Sequence, residues 1–259
     1  MQINLVRLGL SLFVFDAIIV FFGCWIAIAG RPSYTASALF NLDVENSLAV
    51  WWSSSKLLLV ALLLAMVAFA GGRSGWPNLP ALLAAGFVLL MSCSETANIH
   101  GLLQIIVSDR LGISGGRHGP ADMPVVITLV MIPALLLGAY LLVSATRLIR
   151  QVSDGKALVI LGFAIIMTGA IGLDMMRGML TDLYIADRLL PAAEESLEII
   201  GSTVMLVGTA KVLLSIARLT LEPLRAGVAG APGHAPVPRP EHEGIWQGTR
   251  SASAACTAK

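Results

Sequence analysis

Six long apolar stretches dominate this sequence, and each is long enough to cross a lipid bilayer as a helix. They cover roughly residues 8–29, 48–70, 79–106, 123–148, 157–180 and 196–220 of the 259. A hydrocarbon core about 30 Å thick requires roughly 20 apolar residues in a helix. Backbone polar groups inside lipid must also be satisfied within their own segment. The sequence therefore predicts an all-α integral membrane bundle of six transmembrane helices, occupying residues 1–222.

Composition agrees with a chain whose main partner is the lipid bilayer. Only 13% of the residues are charged, against about 25% in an average soluble domain. The net charge of +1 and the lack of a basic stripe argue against a nucleic-acid partner. After residue 222 the chain becomes rich in Gly, Ala, Pro and Ser, so residues 223–259 are predicted to form a disordered tail.

The orientation follows from the basic residues that flank the apolar stretches. With the N-terminus inside, the cytoplasmic flanks contain seven Lys and Arg residues and the opposite flanks contain five. Because positive residues are enriched on the cytoplasmic side, both termini are predicted to be cytoplasmic. Trp51 and Trp52 then fall at the outer end of the second helix, where amphipathic rings are common.

Acidic residues concentrate on the opposite side of the predicted topology, which receives eleven of the sixteen. Charged groups at helix ends or within spans are costly and tend to mark function. They predict a cation or divalent-metal site near the outer end of the bundle, built from Glu95, His100, Asp174, Glu195 and Glu198. Two alternatives stay open: Asp174 forms an ion pair with Arg177, and the acids near residue 195 stabilise the positive end of a helix.

Two further charges lie deeper in the predicted helices. Asp16 is about 12 Å and Lys211 about 13 Å from the inner ends of their helices at 1.5 Å per residue. Pairing would offset part of the cost of burying each charge, so we predict a structural ion pair between Asp16 and Lys211 that joins helices 1 and 6. Lys56 is the rival partner. Alternatively, Lys211 extends to the cytoplasmic surface.

Three motifs carry a resemblance to a known group of proteins. They are Asp43-x-Glu45-Asn46 followed by Trp51-x-Ser53-Ser54, then Ser92-x-x-Glu95-x4-His100, then Glu194-Glu195-x-x-Glu198-x-x-Gly201. The chain resembles, over residues 40–215, a broad group of uncharacterised bacterial membrane proteins with six helices. Ser94 and Gly101 stand where that group usually has carboxylates. The resemblance implies a multi-pass protein of the bacterial cytoplasmic (inner) membrane and does not name an activity.

Three functions compete on the sequence alone. The first is a binding or transport-type protein that uses the five site residues. The second is an accessory subunit that binds a membrane-protein partner or a second copy of itself through small-residue faces such as Gly162, Gly169 and Gly172. The third is a membrane-embedded metalloenzyme, which is disfavoured because only His100 of the four histidines falls in a predicted helix.

The predicted topology is tested by reporter fusions along the chain. Because the loops alternate between the two sides, fusions at three positions should report outside and fusions at three others inside. The outside positions are Leu39, Gly116 and Asp187, and the inside positions are Ser74, Gly155 and Gly230. The reversed pattern would contradict the orientation.

Overall fold

A computed structural model of the chain describes residues 4–29, 39–42, 47–72, 76–97, 132–148, 155–173 and 184–229, with single positions between them. Side chains are described for 189–219 of the last range and for 132–145 of the fifth. Residues Met1–Leu221 form one compact unit and Glu222–Lys259 a second.

The described residues are helical, with six helices and no strand of the kind that forms a sheet. We number them in chain order. They are α1 (Leu5–Ala29), α2 (Leu48–Ala70), α3 (Leu79–Ala97), α4 (Ile132–Leu148), α5 (Lys156–Met167, continued by a π-helical segment Thr168–Leu173) and α6 (Tyr184–Ala229).

Helix starts are set by local capping residues. The Ser47 hydroxyl accepts a hydrogen bond from the backbone N–H of Val50 at the beginning of α2. The Asn78 side chain accepts one from Ala81 at the beginning of α3, at 3.3 Å. Both residues satisfy N–H groups that lack a partner in the first turn. The third helix accordingly begins at Leu79, directly after Asn78.

The predicted all-helical class is confirmed, and the six exact spans are confirmed only in part. In the described part of the chain, five helices are long and apolar enough to cross a membrane, and α4 is the shorter sixth. Residues 123–131, predicted as the first part of helix 4, lie outside the described residues. Helix α6 begins at Tyr184 rather than near residue 196 and continues to Ala229. Residues 223–229, predicted as the beginning of the disordered tail, are therefore helical, and that boundary is wrong. Residues 230–259 of the predicted tail lie outside the described residues and stay a prediction.

Helices α2 and α6 occupy the centre of the bundle. They bury 50% and 56% of their most apolar windows, against 22% for α1. One core cluster packs α2 against α3, α4 and α5, with Met205 of α6. A second joins Ile19 of α1, Ala49 of α2 and Ile199 of α6. The outer faces of α1 and α3 keep large apolar side chains exposed, as surfaces in contact with lipid would.

Helices α5 and α6 approach each other closely through glycines spaced seven residues apart. A Cβ atom on Gly162 would lie 2.5 Å from the backbone N of Met205 and 2.6 Å from the carbonyl oxygen of Gly201. Gly155, which has φ of 93°, meets the carbonyl of Gly208 in the same way. Small residues allow helix backbones to approach in membranes. These contacts place Gly162 inside the chain's own packing.

The α5–α6 contact predicts opposite effects for two glycine substitutions. Gly162→Ala should destabilise the protein by about 1–3 kcal/mol because the methyl group has no space. Gly86→Ala is the matched control, since a Cβ there meets nothing within 4 Å. That change should stabilise α3 by about 0.5–1 kcal/mol through helix propensity. Thermal unfolding in detergent measures both, and equal midpoints for the two variants would contradict the packing.

Candidate functional site

A buried ion pair lies at the centre of the bundle. The Lys56 Nζ of α2 is 2.9 Å from the Asp16 Oδ1 of α1. Each residue is only 1% exposed. Because a charge in lipid or protein interior is costly unless paired and hydrogen-bonded, this geometry requires further partners for both groups.

Those further partners come from α6. Lys56 Nζ also donates to the carbonyl oxygen of Ile199 at 2.6 Å and to the Thr203 hydroxyl at 2.9 Å. Thr203 in turn donates to the Asp16 Oδ2 at 2.6 Å. All three ammonium hydrogens therefore have acceptors, and both carboxylate oxygens accept. We call Asp16, Lys56, Thr203, Trp52 and the Ile199 carbonyl the central network.

Trp52 completes this network from inside the protein. Its indole Nε1 donates to the Asp16 Oδ1 at 2.7 Å, and the Lys56 Nζ lies 5.4 Å from its ring centroid. Trp51, by contrast, is 56% exposed. The sequence assigned both tryptophans to the membrane interface; the hydrogen bond to Asp16 gives Trp52 a further role that this assignment did not include.

The predicted pairing of Asp16 with Lys211 is also wrong, because the rival Lys56 is the partner. Thr203 is the α6 residue that lies level with Asp16. Lys211 is eight residues further along α6, roughly 12 Å away at 1.5 Å per residue. The depths predicted for Asp16 and Lys211 were wrong because they were counted from the ends of the apolar stretches. The helices extend further, since α1 begins at Leu5 and α6 continues to Ala229. Helices α1 and α6 are nonetheless neighbours, as that prediction required.

A second polar group lies nearer the ends of α3 and α5. Glu198 of α6 is buried, 6% exposed, and its side chain lies within hydrogen-bonding reach of Glu95 of α3. Glu194 and Glu195 lie within electrostatic range of the same carboxyl group. We call these four residues the carboxyl cluster. The structure thus brings together three of the predicted site residues, Glu95, Glu195 and Glu198.

Helix geometry explains why Glu194 and Glu195 are not helix-end charges. Helix α6 begins at Tyr184, so Glu194 and Glu195 lie nearly three turns inside it. Stabilisation by the helix dipole is confined to the first turn, and that alternative is therefore wrong for these residues. The facing part of α5 is π-helical, and a Cβ on its Gly169 would lie 3.0 Å from the Glu194 carbonyl. Short π-helical segments are frequent at functional sites.

Buried hydroxyl groups lie between the two polar groups. Ser202, fully buried, is one turn after Glu198 and donates to the Ile199 carbonyl at 2.9 Å. That carbonyl is the one that accepts from Lys56. Ser54 of α2 and Ser92 of α3 exchange hydrogen bonds between each hydroxyl and the other's carbonyl, at 2.8 and 2.9 Å. Polar atoms thus extend along the inside of α2, α3 and α6.

The remaining predicted ligands, His100 and Asp174, lie outside the described residues. Among the residues that the structure does describe, no group of three or more His, Cys, Asp or Glu side chains is arranged to hold a metal ion. The divalent-metal site at Glu95, His100, Asp174, Glu195 and Glu198 stays a prediction.

Trp52 and Thr203 are members of the central network that the sequence patterns did not predict. One signal was available for Trp52, because it precedes Lys56 by four residues and therefore shares its helix face. Thr203 gives no such signal, since a threonine in an apolar helix usually bonds its own backbone. Only the packing of α6 against α1 identifies it.

These features define a class: an all-helical chain with five described helices long and apolar enough to cross a membrane, and with a charged network inside its bundle. The chain belongs to the family described as "Domain of unknown function (DUF8692)", whose sequence model matches residues 10–213. That match covers the central network and the carboxyl cluster. No curated protein and no solved structure matches the chain.

The central network predicts that Lys56 and Lys211 differ sharply in their importance for stability. Lys56→Met leaves the Asp16 carboxylate buried without its countercharge, and breaking a buried pair costs about 3–5 kcal/mol. Lys211→Met is the matched control and should cost less than about 1 kcal/mol. Thermal unfolding of both purified variants in detergent provides the comparison. Equal loss of stability would contradict the assignment of Lys56 as the partner.

Proposed function

We propose that this chain is a transport-type membrane protein that binds a cation at the carboxyl cluster, and that the cation is a proton. The observation that carries the proposal is the burial of Glu198 within hydrogen-bonding reach of Glu95, with Glu194 and Glu195 close by. An ionised carboxylate only accepts hydrogen bonds, so two carboxyl groups can bond each other only when one is protonated. Neighbouring carboxylates that cannot all ionise share protons in this way.

The polar groups between the carboxyl cluster and the central network support transfer of a proton, and not only its binding. Ser202 lies one turn from Glu198, and its hydroxyl shares the Ile199 carbonyl with Lys56. Chains of ionisable and hydroxyl groups inside membranes are characteristic of proton relays. In this proposal the carboxyl cluster exchanges protons with one side of the membrane, and the Asp16–Lys56 pair holds α1, α2 and α6 in place around it.

Location and orientation enter the proposal from the sequence. The resemblance to bacterial six-helix proteins places the chain in a bacterial cytoplasmic membrane, and the distribution of Lys and Arg places both termini inside. The carboxyl cluster then faces the outer side. Of the small residues that favoured an accessory subunit, Gly162 and Gly169 pack against α6, so they no longer point to a separate partner.

Infrared spectroscopy tests proton binding directly. A protonated carboxyl group has a C=O stretch distinct from that of a carboxylate, so wild-type protein in lipid at neutral pH should show this band. Glu198→Gln should remove it, because the shared proton then has no second carboxyl group. Glu241→Gln, from the predicted tail, is the control and should retain it. A wild-type spectrum without the band, or a band unchanged in Glu198→Gln, contradicts the proposal.

Proton flux into liposomes tests the transport role. With a pH-sensitive dye inside and an applied potassium diffusion potential, wild-type protein should acidify the lumen faster than Glu198→Gln. The variant should approach the rate of protein-free liposomes because an amide cannot release a proton. Equal rates for both proteins would contradict transport. Stoichiometric binding of Mn²⁺ that removes the infrared band would instead make a divalent metal the cation.

A further inference from the structure

A cavity of about 530 Å³ lies between the beginnings of α1 and α5 and the second half of α6, away from both polar groups described above. It opens to the surface of the bundle. Its lining residues are Leu5, Gly155, Leu158, Lys211, Leu214, Ser215 and Arg218. We call it the basic cavity.

One wall of the basic cavity is positively charged. Lys211, Ser215 and Arg218 are spaced four and three residues apart on α6, so they share one helix face. Lys211 is half-buried and Arg218 is exposed. Within the described part of the chain neither cation forms an ion pair, since the one described pair joins Lys56 to Asp16. This wall offers hydrogen-bond donors and two positive charges without a carboxylate in the lining.

The beginning of α5 adds to the positive charge around the basic cavity. Gly155 is the N-cap of α5, and no side chain caps its first N–H groups. The N-terminus of a helix carries a partial positive charge and favours anions. On its own this feature would be weak, but here it faces the cavity that Lys211 and Arg218 already line.

The other wall is apolar, and this combination identifies the occupant. Leu5, Leu158 and Leu214 come from three different helices. The apolar span within α6 runs from Leu189 to Leu219, so Arg218 lies at its end, where lipid headgroups begin. Basic pockets between helices at this level bind anionic headgroups. A soluble anion would match the charged wall only.

We propose that the basic cavity binds the phosphate headgroup of an anionic phospholipid, with the acyl chain against its leucines. Lys211 and Arg218 contact the phosphate, and Ser215 donates a hydrogen bond to it. This site is independent of the proposed proton function, since it shares no residue with the carboxyl cluster or the central network. It would fix α1 against the α5–α6 pair at the membrane surface.

Native mass spectrometry of the full-length protein in mild detergent tests this site. Phosphatidylglycerol should bind as a single retained lipid in preference to phosphatidylcholine. Lys211→Gln and Arg218→Gln should each weaken its binding about fivefold, the effect of one basic side chain near an anionic headgroup. Arg7→Gln is the matched control, because Arg7 is exposed at the beginning of α1 and does not line the cavity.

Each outcome decides the proposal. Equal retention of the two lipids, or equal loss for Arg7→Gln and Arg218→Gln, would overturn it. Displacement of phosphatidylglycerol by millimolar inorganic phosphate would also overturn it, because the leucine wall would then contribute nothing. Arg218 is exposed, so its variant is expected to fold, and an unchanged thermal midpoint in lipid-free detergent confirms that the binding loss is local.

Discussion

The ion pair between Asp16 and Lys56 is the interaction on which the rest of the bundle depends. It joins α1 to α2 directly and joins both to α6 through Thr203 and the Ile199 carbonyl. Contacts between apolar side chains cost little free energy to break when helices separate in lipid, because lipid is as apolar as the side chains are. Separating a buried charge pair costs much more free energy, since neither charged group can be left without partners. The pair therefore specifies which helices are neighbours, and the glycine contacts of α5 and α6 specify how closely they pack.

The two polar groups of the bundle have different physical character. The central network is saturated: the three ammonium hydrogens of Lys56 and both oxygens of Asp16 have partners. The carboxyl cluster concentrates negative groups instead, with Glu198 buried among other glutamates. A saturated network resists change in charge, whereas crowded carboxyl groups respond to it by binding a cation. This contrast is the reason for placing proton exchange at the cluster and a structural role at the central network.

The sequence predicted the helical class and the starts of α2 and α3 because both depend on local signals. Apolar length identifies a span, and Asn78 is visible as a cap without any tertiary information. The partner of Asp16 could not be read in the same way. Depth in a helix was counted from its apolar edges, and the true ends of α1 and α6 differ from those edges. Glu194 and Glu195 were similarly mistaken for a first turn, because helix α6 continues upstream through Pro191. Three of the four members of the carboxyl cluster, Glu95, Glu195 and Glu198, were predictable, since this required only a common depth on two helices.

A double-mutant cycle on Asp16 and Lys56 tests this account most directly, because it isolates the energy of their interaction from the cost of each substitution. With Asp16→Asn and Lys56→Met, unfolding in detergent should give a coupling energy of about 1–3 kcal/mol, in the range of residues in direct contact. The same cycle on Asp16 and Lys211 should give additive effects. Additivity for Asp16 and Lys56, or strong coupling of Asp16 to Lys211, would contradict the arrangement of α1, α2 and α6.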